Sequence, residues 1–405
     1  MNDILIKNIG VLATPQGTGA VSGDSQGDVR FITNASIAAK DGKITFVGNL
    51  KKPPEAKQVI DAGGRLVTPG LVDSHTHLVF GGYRQHELSL KLQGASYLEI
   101  LLAGGGILST VETTRKLPQK NLYTKSLDFL KQMLAHGTTT VEAKSGYGLD
   151  LVTELKQLQV IHDLSADFNI VSTFMGAHAI PNEYKANHEA YVDFVIEDVL
   201  PVVAARRLAT FCDVFCEKSV FGITDSRRIL SEARKLGFRT KIHADEIESM
   251  GGAGLAAELG CISAEHLLES KDSDLDLMAK AGVIAVLLPA TSFYLNKAYA
   301  RARDMINKGI PVAIATDFNP GSSPNFNMQL VLNLACLKLK LSPTEALTAA
   351  TLNGAAAIGM AKTKGSIEEG KDADIIIWNA PDLDFLFYRY GNNQVFEVIR
   401  KGWQP

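Results

Sequence analysis

Four cysteines in 405 residues (Cys212, Cys216, Cys261 and Cys336) are too few for a disulfide scaffold, and a reduced environment is expected. No run of about 18 apolar residues occurs, which excludes a helical membrane span. An excess of either charge is also missing. There are 41 basic and 44 acidic residues, a net charge of −3 and a pI near 6.3, so neither nucleic acid nor an anionic membrane is an expected partner. The first residues lack a signal-peptide pattern, and a cytoplasmic location is expected. What is present in quantity is apolar side chain, 46% of the chain, ample for a large core.

Residues 1 to 65 read as short strands (Ile4–Ile6, Ala35–Ala39, Lys43–Val47 and Gln58–Ile60) broken by Gly, Asp, Asn and Pro, with a polar loop over 13–29. Residues 361–405 return to that style, with a strand at Ile375–Trp378. The two ends are expected to form one small discontinuous β-sandwich domain. Between them, over 66–360, eight strand-like runs alternate with helical patterns. The runs are Leu71–Thr76, Thr138–Ala143, Ile170–Gly176, Val214–Phe215, Thr240–His243, Cys261–Ala264, Val283–Leu288 and Pro311–Thr316. Helical spacing of apolar residues appears at Leu122–Ala135, Val152–Ser165 and Asp225–Leu236. This α/β pattern predicts a parallel (β/α)8 TIM-like barrel, whose chemistry sits at the C-terminal strand ends.

The first of those ends is His75-Thr76-His77. On a strand, residues i and i+2 share a face, roughly 6.6 Å apart along the axis, so two imidazoles there can meet on one metal ion. The other ends supply Glu142, Lys144 and Tyr147, then His178, Cys216 and Glu217, then His243, Asp245 and Glu246, then Glu265 and His266, and last Asp317. Three histidines and a carboxylate, here His75, His77, His243 and Asp317, make a ligand set that leaves room for water. His178, His266 and Glu246 are then candidates for proton transfer or substrate binding. His86, His136, His162 and His188 fall in helical or loop stretches and read as structural or exposed. Cys212 and Cys216 lie about 13 Å apart on a strand, too far for one ion. Gly104-Gly-Gly106 reads as a hinge over the barrel mouth.

These residues resemble the metal-dependent amidohydrolase superfamily, through His75-Thr-His77, His243, His266 and Asp317. Longer stretches resemble the imidazolonepropionase family within it. They are Phe80–Glu87, Thr139–Leu149, Gly176–Pro181, His243–Glu246, Ser263–His266 and Ala315–Pro324, spread over about residues 60 to 380. The resemblance implies hydrolysis of the ring amide of 4-imidazolone-5-propanoate to N-formimino-L-glutamate, in histidine degradation, by a metal-activated water. It implies one Zn²⁺ or Fe ion per chain on His75, His77, His243 and Asp317. Arg84, Tyr147, His178, Glu246, Asn319, Gly321 and Ser322 would contact the substrate, and Glu246, His266 and Asp317 stay open as catalytic proton carriers. Arg84 suits the propanoate because its planar fork matches a carboxylate. The Asn319–Ser323 turn can offer backbone N–H groups to an anion. A homodimer is expected from the superfamily.

Three departures are visible. Ser74 stands where Cys is frequent, Pro289-Ala-Thr-Ser292 differs from the usual Pro-Gly-Ala at the pocket wall, and Lys218 lies beyond the place where related enzymes carry a bridging lysine, so a single metal is expected. The competing expectations are a deaminase of a purine or pyrimidine ring, which needs no carboxylate clamp, and a catalytically silent scaffold.

Overall fold

The computed structural model describes residues 1–49, 53–94 and 105–401. Five strands open the chain: β1 (Asn2–Thr14), β2 (Arg30–Lys40), β3 (Lys43–Gly48), β4 (Ala56–Asp61) and β5 (Leu66–Pro69). Eight more follow: β6 (Leu71–Asp73), β7 (Thr138–Lys144), β8 (Asn169–Ala177), β9 (Phe211–Cys216), β10 (Arg239–Ala244), β11 (Ser263–His266), β12 (Ile284–Leu287) and β13 (Val312–Ile314). Near the C-terminus come β14 (Ile375–Trp378) and β15 (Val395–Ile399).

Strands β6 to β13 pair in sequence order, every pair parallel, as βα repeats require. The two ends of this sheet meet through a parallel bridge between Thr76 and Phe318. The His77 N–H donates to the Phe318 carbonyl at 2.9 Å, and the Asp317 N–H to the His75 carbonyl at 3.1 Å. The seam of the barrel therefore runs through the residues singled out for metal binding. This is the TIM-like barrel expected from the repeats.

The remaining strands form one seven-stranded sheet in the order β15-β14-β5-β1-β2-β3, with β4 also paired to β1. It has its own apolar cluster, including Ile4, Ile6, Ile37, Ile60, Ile375 and Ile399. Both chain ends thus build it, and β5 joins them. Pro69-Gly70 is the reason the run from Leu66 does not continue as one strand. A Cβ at Gly70 would lie 2.1 Å from Thr139 Oγ1, so only glycine permits the chain to pass from one sheet into the other there.

Several elements exceed their expected bounds. β1 runs to Thr14, and a 3-10 turn covers Gly23–Gly27 inside the stretch read as loop. β9 has six residues where two were expected, because Asp213, whose charge interrupts the apolar run, is fully buried and ion-paired instead of ending the strand. β11 is displaced two residues toward His266. The helices Gln119–Ala135, Leu151–Leu164 and Ile223–Lys235 fall where apolar spacing put them. The second is capped by Asp150, which accepts from the Thr153 N–H. Among the described residues no helix is long and apolar enough to cross a membrane. Gly104 of the glycine-hinge stretch lies outside the described residues. Gly106, at φ 81°, begins the helix Ile107–Lys116.

Candidate active site

The C-terminal strand ends converge on a cavity of about 470 Å³. At its floor, one nitrogen each from His75, His77 and His243 lies within 4.8 Å of the other two. The His75 and His243 ring centroids are 4.5 Å apart, and His77 is 5.4 Å from His75 and 5.5 Å from His243. Asp317 Oδ1 sits 3.4 Å from His75 Nε2 and 3.5 Å from His77 Nε2. All four side chains are buried.

The nitrogens show what this cluster fits. His75 Nε2, His77 Nδ1 and both ring nitrogens of His243 are buried without a hydrogen-bond partner. Orphaned polar atoms at full burial are costly, and a cation beside Asp317 would satisfy the Nε2 atoms of His75 and His243. Burial, then the positive neighbours, holds His75 and His77 well below the ordinary imidazole range, so both are neutral and able to donate a lone pair. Burial instead pushes Asp317 up to about 6, against hydrogen bonding from Thr291, whose Oγ1 donates to Oδ2 at 2.7 Å. Three imidazoles and one carboxylate suit a divalent ion. Asp317 holds φ 52° and His266 φ 70°, left-handed values that few such residues adopt. Two of them at one strand-end cluster mark a site where the surrounding structure dictates the backbone.

Around this floor stand His178, Tyr147, Glu246, His266, Arg84, Asn319 and Ser322. His178 stacks on His77 at 4.8 Å with 15° between planes, and its Nδ1 is 3.0 Å from the Gly146 carbonyl. Burial lowers His178 to about 3. Tyr147 is held by its own turn, in which Glu154 accepts from the N–H groups of Gly148 at 2.8 Å and Leu149 at 2.9 Å. Its phenol is raised by burial. Glu246 Oε2 faces His266 Nε2 at 3.5 Å. Burial, followed by the charges of Asp317 and Glu217, pushes Glu246 up to about 8, so it carries a proton at neutral pH.

Arg84 reaches the cavity with one edge already engaged. Its Nε lies 2.7 Å from Glu87 Oε1 and its Nη2 3.1 Å from Oε2. Glu87 also accepts from the Gly106 N–H at 2.6 Å and pairs with Lys91 at 3.1 Å. The Asn319 turn differs from its expected use. The Gly321 and Ser322 N–H groups both donate to Asn319 Oδ1 at 2.8 Å, so they close the turn and do not face an anion. Gly321 is absent from the cavity wall and packs under Arg84, where a Cβ would come within 2.2 Å of Nη1.

The chain matches the amidohydrolase family over residues 58–99 and 204–404. It is 51% identical to an imidazolonepropionase of Alkaliphilus metalliredigens over 412 residues, covering 99% of this chain and 97% of that protein. It is 49% identical to the imidazolonepropionase of Bacillus velezensis over 405 residues, covering 99% and 96%. The chain belongs to the imidazolonepropionase family. Solved structures similar to it include a 5-methylcytosine deaminase from Klebsiella pneumoniae, at TM-score 0.75 and 18% identity over 99% of this chain and 97% of that one. An adenosine deaminase from Xanthomonas campestris with bound zinc is similar at TM-score 0.72 and 21% identity, covering 100% and 92%. At these identities the likeness is one of fold.

His188, taken as structural or exposed, has a side chain 40% exposed that faces Asp225 at 3.0 Å, and it also borders the cavity. Lys218, read as lying beyond a bridging position, pairs with Glu248 at 2.9 Å, outside the histidine cluster. Glu87, Asp213 and Lys241 had no assigned role in the sequence, yet all three are buried next to residues that had one. Glu87 was detectable as an i, i+3 partner of Arg84. The other two carried no signal beyond a charge inside an apolar strand.

Proposed function

We propose that this chain opens the ring amide of 4-imidazolone-5-propanoate, giving N-formimino-L-glutamate in histidine degradation. The observation that carries the proposal is the near-complete match, at about half identity, to imidazolonepropionases. The geometry is in keeping with it. His75, His77, His243 and Asp317 would hold one Zn²⁺ or Fe ion per chain. Such an ion lowers the pKa of water and polarises a carbonyl.

The chain's own residues do the rest. Arg84, steadied by Glu87, turns its remaining N–H groups to the propanoate, while Tyr147, His178, Asn319 and Ser322 line the ring's place. Gly321 leaves the space that Arg84 occupies. Overall, the oxygen of water bonds to the ring carbonyl carbon, the carbon–nitrogen bond breaks, and the released nitrogen takes up a proton. Glu246 is the group assigned to move that proton, since burial raises its carboxyl above the ordinary range and it faces His266 Nε2 at 3.5 Å. His266, neutral through burial, orients it and stabilises charge at the carbonyl oxygen. Asp317, fixed by Thr291, is assigned to the ion.

The test is an Arg84→Met variant assayed on the propanoate substrate and on the same ring without the carboxylate. A large loss of kcat/KM on the first and little change on the second is the expected result. Equal kinetics of variant and wild type on the first would remove Arg84 from substrate recognition.

A further inference from the structure

TIM-like barrels usually fill their interior with branched apolar side chains. Here a layer against the histidine floor is ionic. Glu142 and Lys144 enter it from β7, Asp213 from β9, Lys241 from β10 and Glu265 from β11, all with side-chain exposure of 0%.

The charges alternate along a chain. Glu265 Oε2 lies 2.6 Å from His75 Nδ1, and its Oε1 lies 3.2 Å from Lys241 Nζ. Lys241 Nζ is 4.0 Å from Glu142 Oε1. The same Glu142 oxygen accepts from Lys144 Nζ at 2.8 Å, and Lys144 also reaches Asp213 Oδ2 at 2.8 Å. Asp213 Oδ2 then lies 3.1 Å from His243 Nδ1. The line begins at one candidate ligand histidine and ends at another. At both, Nδ1 faces a carboxylate and Nε2 has no hydrogen-bond partner; the Nδ1 contact is a hydrogen bond at His75, and at His243 an ion-pair distance of 3.1 Å.

Stability does not account for such a layer. Buried ion pairs can often be replaced by apolar side chains at no loss, because desolvation offsets their attraction. Three carboxylates against two lysines also leave one negative charge beside the histidines, which favours a cation there. We infer that Glu265 and Asp213 are positioning residues that fix the Nδ1–H tautomers of His75 and His243 and aim both Nε2 atoms at one ion, with Lys241, Glu142 and Lys144 holding the two carboxylates in register. The inference rests on the metal reading above. Carboxylates behind metal-binding histidines act in this way in general, and their loss weakens metal binding about 10- to 100-fold.

The experiment is titration of the metal-free full-length protein with Co²⁺ alone, following its visible absorption band and its affinity by competition with a chelator. The wild type, Glu265→Gln, Asp213→Asn and the charge-balanced double variant Glu265→Gln/Lys241→Met are compared, with near-ultraviolet circular dichroism as the check on folding. The wild type should bind one equivalent. Each folded single variant should bind roughly 10- to 100-fold more weakly with a shifted band. The double variant should stay weak, because its charge is balanced but His75 has lost its carboxylate. It also carries the test if a single variant fails to fold. Wild-type affinity and band in the folded single variants, or restored affinity in the double variant, would overturn the inference. No Co²⁺ uptake by the wild type would instead overturn the metal reading beneath it.

Discussion

Arg84 and Glu87 form a two-point ion pair at the edge of the cavity, with Nε 2.7 Å from Oε1 and Nη2 3.1 Å from Oε2. Burial alone would push Glu87 up, but Arg84 and the Gly106 N–H hold it down to about 2. The carboxylate is thus a permanent anchor at any working pH, and it decides which edge of the guanidinium is left for substrate. Replacing Glu87 with Gln should leave kcat nearly intact while KM for the propanoate substrate rises roughly tenfold or more, the size of a charge-assisted hydrogen bond. Steady-state kinetics on the folded variant decide this. An unchanged KM would make the pair a matter of structure alone.

Gly321→Ala tests the same edge from below. Its Cβ would come within 2.2 Å of Arg84 Nη1, so the guanidinium must shift. KM should rise, while thermal stability should change little because Arg84 sits at the cavity rim. A control at Gly282, whose surroundings are open but whose φ is 69°, should do the reverse, costing about 1 kcal/mol or more of stability without touching KM.

Glu246 gives a pH-dependent prediction. Its carboxyl is raised from near 4.5 to about 8 in the fold, mainly by burial. A raised folded pKa means that the fold holds a proton that the unfolded chain has lost. Its contribution to stability is therefore full below the unfolded value and is lost as pH rises through about 8. In metal-free protein, Glu246→Gln should gain on the wild type between about pH 5 and 8, by no more than about 1.4 kcal/mol per pH unit, and the gap should level off above that window. Denaturant midpoints across the pH range measure it. In the loaded enzyme the same variant should lose roughly 10²- to 10⁴-fold in kcat, the usual span for a lost proton carrier.

Chelation should abolish turnover, and one equivalent of Zn²⁺ or Fe²⁺ should restore it. The metal-free protein should unfold at a lower temperature, since an ion at 100 times its dissociation constant contributes about 2.7 kcal/mol to the folded state. Metal analysis with calorimetry reads both effects together.

The parallel strands and their order followed from apolar runs alternating with helical spacing, and the chemistry of most strand ends could be read from their last residues. His75, His77, His243 and Asp317 come from β6, β10 and β13, far apart in sequence, and only the closed barrel puts them together. What the sequence did not disclose lies one layer further in. Asp213 looked like a break in Phe211–Cys216 because a lone charge in an apolar run ordinarily ends a strand; its partner Lys144 is 69 positions away. Lys241 was hidden in the same way. The Asn319 turn was misread for a different reason: a side chain can take up the N–H groups of its own turn, and Asn319 does so with two of them.

The central claim is tested most directly by following the ultraviolet loss of freshly generated 4-imidazolone-5-propanoate on protein of known metal content, with His243→Ala alongside. The account predicts rapid loss with N-formimino-L-glutamate as product in the wild type, and almost none in the variant, which should also hold far less metal. No loss above the spontaneous rate, on wild-type protein carrying one metal ion per chain, would contradict it.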